Sequence, residues 1–179
     1  MKTIILSLMF VAAPLALSAQ EPNAAPTAAD TAAAQPHILF EGVPVQGDIY
    51  EFYKVLERRG FKLLKRISGS DQYAMKGTVA GNTCEMLISY SHQTRTVYRI
   101  MARPKHVNTV AYLDSLKVRY GEPYDVDGDT YKWMLPNGMV MFKAPDSYDP
   151  TLVVLDALGV KAYREEEDAS GARMPNGGG

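Results

Sequence analysis

Apolar residues recur along the middle of this chain with two different periods, and the change of period marks its elements. Ile49, Phe52, Val55 and Leu56 fall on one side of a helix, with Glu57, Arg58 and Arg59 outside it. Asp48 stands ahead of them as an N-cap and Glu51 completes a capping box, worth about 1 kcal/mol. Gly60 supplies the left-handed stop, so a helix is predicted over 49–59. The same grammar returns later: Asn108 caps, Val110, Leu113, Leu116 and Tyr120 repeat at helical spacing, and Gly121 with Pro123 ends a helix over 109–120.

Each predicted helix is followed by short segments rich in β-branched and aromatic residues. After the first, 61–67 turns through Gly69-Ser70-Asp71 into 73–79, Gly81-Asn82 leads into 83–90, and a looser turn at 92–95 precedes 97–102. After the second, 124–126 turns at Asp127-Gly128 into 130–135, Asn137-Gly138 leads into 139–143, and 152–155 closes the series. Asp-Gly and Asn-Gly suit type I′ hairpins, whose central residues take positive φ. A short strand is also expected near 38–40. Strands linked by tight turns pair antiparallel, since parallel neighbours need long crossovers. The pattern therefore predicts a two-layer α+β domain, an antiparallel sheet of about seven or eight strands with two helices on one face. A helix, a glycine stop and a meander occur twice, which suggests a degenerate tandem repeat of about 60 residues.

The two ends have a different character. Met1 and Lys2 precede an uncharged apolar run through Leu15, shorter than the roughly 20 residues that span a bilayer and interrupted by Pro14. This reads as a signal peptide over 1–19, with small residues that allow a cut after Ser18 or, in preference, after Ala19, rather than as a membrane anchor. Leu17-Ser18-Ala19 resembles the start of a bacterial lipobox, but the next residue is Gln20 rather than an acylated cysteine. The product is expected to be periplasmic or secreted, without a lipid anchor. Residues 20–36 carry Ala, Pro and Thr and no large apolar side chain, the composition of a disordered linker reaching some 50 Å if extended at about 3.1 Å per residue. The charge run at 164–168 and the glycine-ended stretch after it read as a disordered tail over 164–179, which leaves one domain at 37–163. Cys84 is the only cysteine, so no intramolecular disulfide staples that domain. The formal net charge of -1 points to neither nucleic acid nor an anionic membrane as partner.

The stretch Phe40-Glu41-Gly42-Val43-Pro44-Val45-Gln46-Gly47, followed by Phe52, Gly60-Phe61 and the stop Tyr120-Gly121-Glu122-Pro123, resembles an uncharacterised exported family of Gram-negative bacteria. More remotely it resembles the β-lactamase-inhibitor-protein-like fold, which includes the small outer-membrane assembly lipoproteins of the SmpA/OmlA type. The resemblance implies a non-catalytic domain that binds other proteins through its sheet face or loops. It carries over no functional residue, because a shared scaffold is not a shared site.

Side chains that could carry chemistry each have a plainer reading. Cys84 could act as a nucleophile with His37, His92 or His106 as base, but Cys84, Met86, Ile88 and Tyr90 alternate as the inward face of one strand. Asp125, Asp127 and Asp129 alternate like calcium ligands, yet Thr130 and Pro136 stand where an EF-hand loop needs Gly and Glu. The histidines lack zinc spacing, no phosphate loop is present, and no cofactor is expected. Two basic runs, Arg58 to Arg66 and Arg95 to Lys105, read as solvated faces or as complements to a helix dipole. The second meander crowds Tyr131, Trp133, Met139 and Met141 together, residue types enriched at interfaces. These four are the expected contact residues for another envelope or extracellular protein, with a small-molecule or glycan groove as the alternative and a cysteine-dependent hydrolase behind both.

Overall fold

A computed structural model describes residues 36–145 and 149–170. The expected leader, the expected linker up to residue 35 and the end of the expected tail lie outside these. The described chain is an α+β fold of ten strands and three helices. A small hairpin, β1 (Leu39–Phe40) with β2 (Val43–Pro44), comes first. Helix α1 (Ile49–Arg58) is followed by the meander β3 (Lys62–Ile67), β4 (Gln72–Val79), β5 (Asn82–Tyr90) and β6 (Val97–Pro104). Helix α2 (Thr109–Tyr120) is followed by β7 (Asp125–Asp127), β8 (Thr130–Leu135), β9 (Gly138–Lys143) and β10 (Thr151–Asp156), and helix α3 (Ala157–Ala169) ends the fold. The larger sheet has eight strands, all antiparallel, in the order β3-β4-β5-β6-β10-β9-β8-β7. Helix plus four-stranded meander thus occurs twice, the second meander running back toward the first so that their last strands pair.

Alternation along the strands builds the core. One row of registered partners, Ile88, Ile100, Val154, Val140 and Trp133, crosses five strands with every member buried. The next row on that side is Met75, Met86, Ala102, Leu152 and Phe142. Helix α1 meets this core through Ile49, Phe52 and Leu56, and its Tyr53 stacks on Tyr73 at 5.7 Å. Helix α2 meets it through Tyr112 and Leu116, with the Tyr112 ring 5.3 Å from Phe142. Val110, expected on the inner face of α2, is 69% exposed, and Tyr112 takes its place because 112, 116 and 120 make the helix's buried stripe. Phe61 fills the space above Gly77, where an added Cβ would lie 2.1 Å from its ring.

Caps and turns follow the expected chemistry with small displacements. Asp48 accepts from Tyr50 N at 2.7 Å, while Glu51 pairs with Lys54. Asn108 accepts from Ala111 N at 3.1 Å. Three hairpin turns are shifted by one residue from the dipeptides that announced them. Their central pairs are Ala80-Gly81, Gly128-Asp129 and Pro136-Asn137, as the flanking registers Val79 to Asn82, Asp127 to Thr130 and Leu135 to Gly138 require. Ala80 and Gly81 both have positive φ, the type I′ condition, whereas Gly138 lies inside β9, close against the Leu155 carbonyl.

The third helix corrects the expectation of a tail beginning at 164. Residues 164–169 are helical because α3 is anchored along its length. Asp156 caps it, accepting from Gly159 N at 2.8 Å. Gly159 lets its backbone approach β6 so closely that a Cβ would lie 2.5 Å from Val97 O. Tyr163 stacks on Tyr98 at 4.4 Å, and the Glu166 carboxylate accepts from Gln93 N and from Thr94 N in the β5–β6 loop. Those N–H donors outweigh burial and hold the Glu166 carboxyl below its ordinary value.

Asp156 is also where the N-terminal segment is tied in. It is fully buried, and besides Gly159 it accepts from Ile38 N at 3.0 Å and faces His37 Nδ1 at 3.0 Å. Three elements therefore share one carboxylate. Asp156→Ala strands two buried donors and removes a helix cap, so stability in urea should fall by about 3 kcal/mol. Asp156→Asn, which keeps one acceptor oxygen, should lose clearly less. Equal losses would mean that the oxygens contribute nothing beyond side-chain bulk.

Candidate functional site

The strand pleat separates the four residues expected to form a contact patch. Trp133 is 1% exposed, and its indole N–H donates to Gly121 O at 2.8 Å, fastening β8 to the end of α2. The Tyr120 ring lies 6.2 Å away. Trp133 is therefore a core residue, unable to meet a partner directly. Tyr131 is paired in register with Phe142 and packs against the same core. Met139 and Met141 alternate with buried Val140 and Phe142, so they stand on the opposite side of the sheet, half-buried.

That opposite side carries its own apolar row. Ala74, Leu87, Met101, Val153 and Met141 are successive register partners across β4, β5, β6, β10 and β9. Ala74 and Val153 are buried, while Leu87, Met101 and Met141 are partly open. Beside this row Met139 pairs with Met134, which is 62% exposed. At the β3 end a groove of about 280 Å³ runs over Ala74, Leu87 and Met101, walled by Leu64 and Ile67 and rimmed by Lys65, Glu85 and Arg103. A register irregularity between Leu63 and Lys65 produces the wall: it leaves Leu64, 54% exposed, without a place in the core.

The groove residues were legible in the same alternation that identified the core. Cys84, Met86 and Ile88 point inward, so Leu87 must point outward, and Met101 sits likewise between Ile100 and Ala102. The two aromatics of β8, Tyr131 and Trp133, stand on the core side instead.

The other candidate chemistry is occupied by structure. Cys84 is fully buried, its thiol donating to Glu85 O at 3.4 Å. Burial pushes its pKa up to about 11, which disfavours the thiolate a nucleophile needs. Asp125 accepts from Lys132 at 2.7 Å and Asp129 lies 4.0 Å from Lys143. Among the described residues no group of three or more His, Cys, Asp and Glu side chains is placed to hold a metal ion. None of the described helices is long and apolar enough to cross a membrane. The basic runs divide as well: Arg95 pairs with Asp48 at 3.1 Å and Lys105 with Asp149 at 3.2 Å, while Lys65 and Arg103 join the groove. No family model matches this chain, and neither a curated protein nor a solved structure is similar to it.

The raised Cys84 pKa gives a direct check. At pH 8 the folded thiol should react with a disulfide reagent at least about 100-fold more slowly than the urea-unfolded chain, since two pKa steps alone lower the thiolate fraction that far. The unfolded thiol ionises near its ordinary value while the folded one resists. This part of the stability is thus complete below about pH 9 and is lost as pH rises toward 11. Rapid labelling of native protein would overturn the buried placement.

Proposed function

We propose that this chain is an exported, non-catalytic binding module of the periplasm or the extracellular space. It engages another envelope or extracellular protein through the groove and apolar row on the side of the sheet that carries Met101. The observation that supports this reading most is the outward row itself. An isolated domain has no need to place Leu87, Met101, Met141, Met139 and Met134 together where water reaches them, and contiguous apolar surface rimmed by polar groups is what interaction sites share. Methionine adapts its shape to a partner, which suits such a surface.

The rim selects the partner's chemistry. Lys65 and Arg103 line the groove against the single carboxylate of Glu85. A protein presenting an apolar side chain between acidic residues matches both floor and rim.

A photo-crosslinking residue placed at Met101 should give one discrete protein adduct in intact envelopes, whereas the same residue at Val118, 87% exposed on α2, should give none. Met101→Asp, and separately Lys65→Glu with Arg103→Glu, should reduce that adduct from a crosslinker at Met139 by about tenfold or more while leaving the urea midpoint nearly unchanged. An adduct that survives both changes, or one equally strong from Val118, would overturn the assignment.

A further inference from the structure

A second recess lies at the end of the sheet, between the β3–β4 loop, the β5–β6 loop and the start of α1, and adjoins the groove at Ile67. It has two parts that meet at Arg66, Asp71 and His92. The outer part, about 520 Å³, is open and lined by Ser68, Gly69 and Ser70 of the β3–β4 loop. The inner part is about 80 Å³ and is bounded by Tyr50, Tyr73, Tyr90 and Arg95. At ~30 Å³ of liquid per water molecule it has the room of two or three waters, which is also that of one carboxylate or phosphate group.

The groups around the inner part are mostly donors. Arg66 stands beside Tyr73 and has no carboxylate partner among the described residues. Arg95 is held in place from two sides, its Nε 3.1 Å from Asp48 and its guanidinium carbon 3.9 Å over the Tyr50 ring, with a positive backbone φ of 59°. A non-glycine residue keeps that backbone only when its surroundings over-determine it. His92 Nδ1 lies 3.0 and 3.1 Å from the two oxygens of Asp71, which fixes the ring and leaves Nε2 as its other nitrogen. Burial first, and then a hydrogen bond with Tyr50, push the Tyr73 phenol up to about 12, so it keeps its proton. Asp48 pairs with Arg95, and Asp71, which lines both parts of the recess, bonds His92 and not Arg66. Arg66 is thus the unpaired charge at the mouth of a small polar cavity.

We infer that this recess is a binding site for a small oxyanion-bearing polar molecule, a carboxylated or phosphorylated saccharide in size and character. The carboxylate or phosphate enters the inner part against Arg66, and the hydroxylated body lies along the serine-glycine loop. The Tyr50 ring, 39% exposed and covered on one face by Arg95, borders the inner part. Charge-assisted hydrogen bonds from a guanidinium fork are the strong kind, so Arg66 carries most of the affinity. The recess shares Ile67 with the groove beside Met101 but none of its charged residues. Lys65 and Arg66 are neighbours in β3, but the one lines the groove and the other the recess.

The test is titration of the whole domain with glucuronate, with inorganic phosphate and with uncharged glucose, followed through the amide resonances of residues 68–71 and the Arg66 side chain. One or both oxyanions should give a saturable shift and glucose none; the tighter of the two identifies the ligand class. Arg66→Gln should weaken that binding by about tenfold or more, whereas Lys62→Gln, the same charge change on the same strand outside the recess, should leave it unaltered. Absence of any saturable shift from either oxyanion would overturn the proposal, and so would equal weakening by the Lys62 change, which would show a diffuse charge effect. Because neither variant touches Leu87 or Met101, failure here would leave the Met101 crosslink intact.

Discussion

The structure depends on one strand pairing. Every other pair in the large sheet joins strands adjacent in sequence, and only β6 with β10 brings the two meanders together. Its register sets Ile100 against Val154 and Ala102 against Leu152, which makes the apolar rows continuous across both halves. A slip of one residue would put Ile100 opposite a side chain bound for the other face and break the core along its middle. The same seam governs both ends of the fold. β10 ends at Asp156, so its position decides where α3 starts and where the segment around Ile38 is fastened.

With the seam fixed, the pleat divides the chain's side chains between two environments. On one side the core takes Trp133, Phe142 and Met86; on the other Met101, Met139 and Met141 remain in contact with water. At the β3 edge the division falls between neighbouring residues, since the irregularity at Leu64 resets the alternation and lets Arg66 stand beside Tyr73 while Lys65 borders the groove. An edge strand rich in cations is a familiar guard against unwanted strand addition. In β3 two of those cations, Lys65 and Arg66, also border the groove and the recess.

Much of this architecture was legible in the chain because local signals agreed with one another. The apolar faces of Ile49, Phe52 and Leu56, and the caps Asp48 and Asn108, rest on short-range geometry that tertiary contacts reinforce. The turn dipeptides marked the hairpins to within a residue. The exact position depends on cross-strand register, which a local motif does not contain; Gly138 is a glycine because β10 passes close to it, a reason invisible in Asn137-Gly138. Helix α3 was hidden because its supports, Asp156, Gly159 on Val97 and Glu166 on the β5–β6 loop, are all contacts with distant parts of the sequence. The candidate surfaces divide the same way. Leu87 and Met101 follow from alternation once the inward residues are known, whereas the recess at Arg66 arises only when two loops and a helix start converge.

Cys84 shows what the dense core means for a chain proposed to work in an oxidising compartment. With its sulfur sealed between β4 and β6, the native protein has no thiol to offer to oxidants or to other chains. Any covalent dimer must therefore originate from molecules that have opened. The lone cysteine works as a built-in recorder of unfolding: the fraction of crosslinked chains accumulated in the compartment counts the excursions of the fold, not the encounters of its surface.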